Sequence, residues 1–320
     1  MLGIILAAGQ GTRMQGLTKN RPKAMLPIVG QPIILRVINQ MRVADITDII
    51  IVTAANDQYI ESYFNRNPIG DIDLTFVIQQ KAKGMADALL SAAPLIDEPF
   101  ILAACDSLYP DVHYQNLVKI HTAHDYPATL TLMEVSPSFI PISSSVEIVE
   151  NKVIRIVEKP KLEHAPSFIA SLALYVFDTT LLHHLTDVKA SHRGELELQD
   201  AIQMLISEHQ GLPYLITDWR WEITSPADLL QMNLNVLQQQ ADLTFPKMEV
   251  FQKNIQLIPP FYIEDGVVLP SHAKIGANVY IEAKAVIGDG AVLRNCVVLQ
   301  NGIVPPKQVV DNILISDSLP

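Results

Sequence analysis

The sequence predicts an α/β protein with a doubly wound, mostly parallel sheet, followed by a short left-handed parallel β-helix. Three observations predict this architecture. Over residues 1–135, apolar runs typical of buried strands alternate with amphipathic helical stretches. A glycine-containing turn directly follows the first apolar run, where α/β sheets place their ligands. Over residues 263–299, a large aliphatic side chain recurs at every sixth position.

The elements follow from local patterns taken in order. Period-3.6 patterns and helix-forming residues predict helices over 32–43, 57–65, 84–93, 113–124, 196–209 and 226–240. Apolar or β-branched runs predict strands over 2–6, 48–53, 74–78, 100–104, 128–135, 146–149, 153–157 and 169–177. This order predicts a domain over 1–240, a linker over 241–258 and the β-helix over 259–320.

The C-terminal tail carries a repeat of period six. Its large aliphatic positions are Ile263, Leu269, Ile275, Ile281, Ile287, Leu293 and Leu299. A small or β-branched residue stands four positions after each of the first six. Because each triangular coil uses three hexapeptides, the tail corresponds to about two coils. The alternative is a set of short hairpins, for which Asp265-Gly266 and Asp289-Gly290 are turn signals.

Composition excludes several classes of function. The chain has 320 residues and a net charge of -11, which argues against a general binder of nucleic acid or anionic membranes. No apolar run approaches the roughly 20 residues that a membrane span needs. The two cysteines, Cys105 and Cys296, lie far apart and form neither a disulfide framework nor a metal-ligand pattern, so we expect a reducing cytoplasm.

The first glycine-containing turn has the features of an anion site. The apolar run ends in L-A-A-G-Q-G-T-R-M, where glycine allows the backbone to turn and approach a ligand. Arg13 and Lys23 add positive charge, so a polyphosphate is the expected guest. The alternative is that both are solvated surface charges. Asp106 follows the strand over 100–104, where aspartate is also common as a simple turn residue.

Four motifs together resemble a known family. The signature L-A-A-G-Q-G-T-R-M with R-P-K-A-M-L-P-I-V-G-Q-P is similar to that of the sugar-1-phosphate nucleotidyltransferases, or nucleotide-sugar pyrophosphorylases. The stretch Q-Q-K-A-K-G-M-A-D-A from Gln79 resembles the base-recognition segment of that family, and E-K-P from Glu158 resembles its sugar-phosphate motif. R-G-E-L-E from Arg193 resembles a motif of the thymidylyl- and uridylyltransferase branch of that family. The resemblance covers roughly residues 2–240, and many members carry a β-helix tail.

The resemblance implies site residues and a cofactor. The nucleotide-binding residues would be Leu6, Ala7, Ala8, Gly9, Gly11, Thr12, Gln79 and Gly84. The catalytic residues would be Arg13 on the β- and γ-phosphates, Lys23 on the α-phosphate, and Asp106. The sugar phosphate would meet Glu158 and Lys159. The metal would be Mg²⁺, held by Asp106 and Glu222.

The implied reaction transfers a nucleotidyl group from a nucleoside triphosphate, with dTTP or UTP preferred, to a sugar 1-phosphate. Glucose 1-phosphate is the first sugar to try. Thr224 replaces a usual glycine, Glu222 replaces the usual aspartate, and Ala104-Cys105-Asp106-Ser107 lacks the glycine that the family often has there. The departures at Glu222 and Ser107 motivate the alternative of a regulatory or assembly paralogue that binds nucleotide with weak turnover. Transfer to a non-sugar alcohol phosphate and an acyltransferase tail are further alternatives. The exposed ends of a short β-helix favour covering by another domain or subunit, which is compatible with a homo-oligomer.

Overall fold

The computed structural model of the protein describes residues 1–19, 21–123, 126–239 and 254–317. The helices are α1 Ile33–Val43, α2 Ile60–Arg66, α3 Met85–Ala92, α4 His113–Ala123, α5 Leu181–Leu185, α6 Leu198–His209 and α7 Pro226–Gln239. The strands are β1 Leu2–Leu6, β2 Pro27–Ile28, β3 Gln31–Pro32, β4 Asp48–Ala54, β5 Asp73–Gln79, β6 Phe100–Ala104, β7 Ser107–Leu108, β8 Ala128–Glu134, β9 Ser144–Val149, β10 Lys152–Glu158, β11 Ile169–Phe177, β12 Tyr214–Ile216, β13 Trp221–Glu222, β14 Gln256–Ile258, β15 Phe261–Ile263, β16 Lys274–Gly276, β17 Val279–Ile281, β18 Val286–Ile287, β19 Val292–Arg294, β20 Cys296–Val298, β21 Ile303–Val304, β22 Val309–Asp311 and β23 Leu314–Ile315. Within the described ranges, no helix is both long and apolar enough to cross a membrane.

A nine-stranded sheet forms the centre of the first of two compact units, which comprises Met1–Gln10 and Ile34–Arg220. The strand order is β10-β9-β11-β6-β1-β4-β5, with β8 beside β11 and β12 beside β8. Strands β6, β1, β4 and β5 run parallel, as predicted. The other half is mixed, since β11 is antiparallel to β6, β8 and β9. The tight turn at Glu150-Asn151, with both φ values positive, permits the antiparallel β9–β10 hairpin.

The parallel register places several strand ends at one edge of this sheet. Leu6 of β1 lies opposite Ala104 of β6, and Ala54 of β4 lies opposite Gln79 of β5. The interior of β1 is buried, with Ile4 and Ile5 inaccessible to solvent. Continuous apolar runs are typical of such strands because both faces of the sheet are covered.

The second compact unit comprises Gly11–Ile33 and Trp221–Pro320. It contains the β2–β3 hairpin, α7 and three sheets of short parallel strands: β14-β16-β19-β22, β15-β17-β20-β23 and β18-β21. We call strands β14 to β23 the C-terminal strand stack. Three sheets built from successive turns of chain agree with the predicted β-helix, while its left-handed sense stays a prediction.

The repeat in the C-terminal strand stack departs from the predicted strict period of six. Lys274 pairs with Val292, eighteen positions later, whereas Ile281 pairs with Val298, only seventeen later. Val298, and not Leu299, is therefore the residue equivalent to Ile281 in the next turn of chain. One corner is a residue shorter there, and both equivalent side chains remain buried. Two sheets have four strands each, so the stack is longer than the two coils predicted.

The predicted linker over 241–258 falls largely on residues 240–253, outside the part of the chain that the structure describes. The domain boundaries at 240 and 259 stay predictions.

Candidate functional site

The start of the glycine-containing loop and Asp106 lie at the same sheet edge. The Ala7 amide donates to the Val52 carbonyl at 2.8 Å, and the Cys105 amide donates to the Leu6 carbonyl at 3.3 Å. These bonds continue the parallel ladders beyond the ends of β1 and β6. Ala7 and Ala8 are buried, whereas the half-buried Asp106 follows directly after Cys105. The structure therefore brings these predicted residues together in the first unit, as parallel strands require.

The packing of the described residues does not require glycine at position 9. A Cβ atom built on Gly9 would meet no atom of the described residues within 4 Å, and the φ of Gly9 lies outside the left-handed region. A side chain at this exposed position would cost the fold little. The predicted contact of Gly9 with a nucleotide, where glycine allows close approach of the backbone to a ligand, stays a prediction.

Gln79 is buried at the end of β5 and its amide is held in one orientation. Its Nε2 donates to the Gly84 carbonyl at 3.2 Å and to Asp87 Oδ2 at 2.8 Å. Sequence reasoning assigned no role to Asp87, although it stands in the quoted base-recognition segment and in the first turn of α3. Its position eight residues after Gln79, on a helix that directly follows β5, is the signal that could have identified it.

Gly84 joins two motifs that are far apart in sequence. Its φ is +110°, and an added Cβ would lie 2.5 Å from the Leu196 carbonyl oxygen. The Leu196 amide donates to the Lys83 carbonyl at 2.6 Å, and the Ala86 amide donates to the Leu196 carbonyl at 3.1 Å. The segment over 79–88 and the R-G-E-L-E motif are thus connected backbone to backbone, and this approach requires glycine at position 84.

Glu158 and Lys159 lie in a cluster of charges at the end of β10. Lys159 Nζ is 3.3 Å from Glu158 Oε1, and Arg193 Nη2 is 3.6 Å from the same oxygen. Arg193 Nη2 also donates to Glu197 Oε1 at 2.7 Å, which places R-G-E-L-E beside E-K-P. Burial raises the pKa of Glu158, and the charge of Lys159 opposes this shift. Glu158 therefore takes up a proton more readily than an exposed glutamate.

In the second unit, the two halves of the signature pack against each other. Gly11 has φ +61° and precedes the 3₁₀ helix Thr12–Met14, whose residues Thr12 and Arg13 are exposed. The half-buried Lys23 begins the 3₁₀ helix Lys23–Met25, and a Cβ built on Gly11 would lie 3.4 Å from Lys23 Cβ. The glycine-containing loop and the R-P-K motif are therefore neighbours.

Glu222, the last residue of β13, is half-buried and belongs to the second unit. The segment after it is fixed by Asp228, whose Oδ2 accepts hydrogen bonds from Thr224 Oγ1 at 2.6 Å and from the Ser225 amide at 2.7 Å. Burial raises the pKa of Asp228, but these hydrogen bonds outweigh it and hold the pKa below its usual value. Ser225, whose Oγ accepts from the Asp228 amide at 3.3 Å, thus caps α7, and Thr224, which replaces a usual glycine, is held by the Asp228 carboxylate.

Comparison with known proteins identifies the family. A family model described as nucleotidyl transferase matches residues 2–239. The chain belongs to the nucleotidyl transferase family. The match includes every predicted site residue from Leu6 to Glu222 and ends before the C-terminal strand stack.

Relatives within the nucleotidyl transferase family cover most of the chain. The bifunctional protein GlmU of Methanococcus maripaludis is 28% identical over 98% of this chain and 77% of its own length. The low-salt glycan biosynthesis nucleotidyltransferase Agl11 of Haloferax volcanii is 26% identical over 75% of this chain and 67% of its own length. A UDP-glucose pyrophosphorylase solved with UDP-glucose covers 74% of this chain and 98% of its own, with a TM-score of 0.66 at 24% identity, which shows the shared fold.

Proposed function

We propose that the protein transfers a nucleotidyl group from dTTP or UTP to a sugar 1-phosphate, giving a nucleoside diphosphate sugar and pyrophosphate. Membership of the nucleotidyl transferase family supports the transfer. The sugar is supported by the relative in glycan biosynthesis and by the E-K-P and R-G-E-L-E motifs, which the structure brings together. Glucose 1-phosphate is the first acceptor to test.

The orientation of the Gln79 amide supports a base that has a ring N–H donor. Both Nε2 protons have acceptors, in the Gly84 carbonyl and the Asp87 carboxylate, so a flipped amide would place its oxygen against two acceptors. Oε1 therefore remains the group that accepts from a base. Uracil and thymine offer an N3–H donor and guanine an N1–H donor, whereas cytosine and adenine have an unprotonated ring nitrogen at the corresponding edge. A site with a fixed acceptor discriminates against a partner that lacks the donor.

The phosphate chemistry rests on Arg13 and Lys23. A planar guanidinium suits two phosphates at once, so Arg13 is assigned to the β- and γ-phosphates, which leave as pyrophosphate. Lys23 is assigned to the α-phosphate, where negative charge develops as the new bond forms. An oxygen of the sugar phosphate attacks the α-phosphorus. The bond between that phosphorus and the oxygen that bridges it to the β-phosphorus breaks, and pyrophosphate leaves.

The donor set fits a magnesium ion that shares its ligands with phosphates. Family members generally use divalent cations. Across the described residues there is no group of three or more His, Cys, Asp and Glu that could hold a metal. Mg²⁺ keeps few protein carboxylates and takes substrate phosphates and water as other ligands, so Asp106 is assigned as its protein ligand, and Glu222 as a second ligand stays a prediction. When bound, the ion would offset the negative charge of the phosphates.

The acceptor phosphate is assigned to the charge cluster at the end of β10. Lys159 brings a cation to the incoming sugar phosphate and offsets the repulsion between two phosphate groups. Glu158, held between Lys159 and Arg193, presents a carboxylate that can accept a hydrogen bond from a hydroxyl group of the sugar.

A substrate panel tests the proposal. Purified protein with MgCl₂ is mixed with each of UTP, dTTP, CTP, ATP and GTP, and with glucose 1-phosphate or another sugar 1-phosphate, and pyrophosphate release is measured. We expect release with UTP or dTTP and a sugar 1-phosphate, and its loss in Asp106→Asn. Release with phosphocholine alone would indicate an alcohol phosphate instead. Stabilisation by UTP without release from any mixture would indicate the binding paralogue.

A further inference from the structure

The signature segment Gly11–Ile33 is tied to the C-terminal strand stack by an ion pair. Both terminal nitrogens of Arg21 donate to the carboxylate of Glu282, the longer bond being 3.0 Å. Glu282 Oε2 also accepts from the Gln300 amide at 2.8 Å, so the carboxylate is held within the stack. The side chains of Arg21 and Glu282 are 21% and 10% exposed. Glu282 lies beyond the residues that the family model matches.

The hairpin at the end of the same segment has its own contacts with the C-terminal part of the second unit. Val29 adopts φ +48°, which is uncommon for a β-branched residue, and its amide donates to Asn233 Oδ1 of α7 at 2.8 Å. A Cβ built on Gly30 would lie 2.5 Å from the ring of Tyr262 in the stack. The segment is therefore fixed at Arg21 and again at Val29-Gly30, on either side of Lys23.

Stability alone is a weak reason for the Arg21–Glu282 pair. Desolvating two charges offsets much of their attraction, and apolar residues of similar volume are often as stabilising. A bidentate pair does specify geometry, because the planar guanidinium meets the carboxylate in one arrangement. Fixing Arg21 also restricts the backbone position of Lys23, two residues further on, because Pro22 between them has a fixed φ. The backbone at Lys23 is held in addition by a turn, in which the Leu26 amide donates to the Lys23 carbonyl at 3.0 Å.

We propose that Glu282 is a positioning residue for nucleotidyl transfer, which acts through Arg21 to hold Lys23 at the α-phosphate. The C-terminal strand stack thus takes part in the reaction from outside the family's catalytic region. This inference rests on the proposed function, in which Lys23 meets the α-phosphate. A misplacement of about 1 Å in such a group can lower the rate by roughly 100-fold.

Four variants test the proposal: Glu282→Gln, Arg21→Met, the double variant, and Asp311→Asn. Asp311 pairs with Arg294 at 3.0 Å on the exposed surface of the same stack, so Asp311→Asn is a matched loss of one carboxylate and its ion pair. For each variant we would measure Tm, the Kd of UTP with Mg²⁺, kcat, and the KM values for UTP and glucose 1-phosphate. Glu282→Asp, which keeps a carboxylate, is the conservative comparison.

We expect Glu282→Gln to lower kcat and to raise the Kd of UTP, each by roughly 10-fold, with the KM for glucose 1-phosphate unchanged. Glu282→Asp should lower kcat less than Glu282→Gln does. The double variant should have the same kcat as Arg21→Met, because both single changes remove the same interaction. The proposal is overturned if Glu282→Gln behaves like Asp311→Asn, or if the two single losses multiply in the double variant. A wild-type protein that binds UTP without turnover contradicts the proposed function, and the Kd comparison still decides the role of Glu282.

Discussion

Replacing Asp87 with asparagine is expected to weaken the discrimination between UTP and CTP. The carboxylate of Asp87 accepts from Gln79 Nε2 at 2.8 Å and would repel a flipped amide oxygen. An asparagine side chain can either accept from the Gln79 amide or donate to it. The amide can then present Nε2, a donor that suits the unprotonated N3 of cytosine.

The magnitude follows from the kind of hydrogen bond that is lost. A bond to a charged acceptor contributes about 1.5–3 kcal/mol, and a neutral one about 1 kcal/mol. The preference for the native amide orientation therefore falls by about 0.5–2 kcal/mol, while the Gly84 carbonyl still favours it. The ratio of kcat/KM for UTP to that for CTP should fall roughly 2- to 30-fold, since 1.4 kcal/mol corresponds to a factor of ten.

The assay compares pyrophosphate release from UTP and CTP, with glucose 1-phosphate as acceptor, in the wild type and in Asp87→Asn. Asp57→Asn is the matched control, because Asp57 Oδ1 accepts from the Tyr59 amide at 2.7 Å near the start of α2 and the change removes the same charge. An unchanged UTP/CTP ratio in a folded Asp87→Asn protein would refute the reasoning, as would an equal fall in Asp57→Asn.

Three further predictions follow from single positions. Gly9→Ala should keep the wild-type Tm but weaken UTP binding in calorimetry, whereas Gly11→Ala, at φ +61°, should lower the unfolding free energy by about 1 kcal/mol; a lower Tm in Gly9→Ala contradicts this. Burial lowers the pKa of His113 to about 4 from 6.5, so as the pH falls between these values the unfolded chain takes up a proton first and the free energy of unfolding should fall by about 3 kcal/mol. His113→Gln should remove that loss in urea titrations, and the exposed-site variant His209→Gln should not. Because burial raises the pKa of Glu158, the KM for glucose 1-phosphate should rise as pH falls from neutrality, and Glu158→Gln should flatten that profile.

The predicted parallel half of the sheet is confirmed because local patterns determine it. The apolar runs over 2–6 and 100–104 mark buried strands, and strands linked by helices run parallel. Asp106, which follows the second of these strands, therefore had to lie at the edge where the glycine-containing loop begins. The roles assigned to Arg13, Lys23, Asp106 and Glu222 stay predictions.

The repeat in the tail shows where local patterns lose accuracy. The period of six predicted a series of short strands, which the structure contains. It also predicted Leu299 as the equivalent of Ile281, but Val298 takes that position because one coil is a residue shorter. A loss of one residue at a corner leaves the alternation within each short strand intact. Pairing with Ile281 in the folded stack is what identifies Val298 as the equivalent position.

The sequence by itself determined the α/β fold of the first unit and the family, because these depend on the spacing of neighbouring residues. Tertiary structure decided which side chains hold the motifs in place. Asp87 orients Gln79, Leu196 closes on Gly84, and Glu282 meets Arg21 across 261 positions. No local pattern encodes such pairs, since they exist only when packing brings together parts of the chain that are distant in sequence.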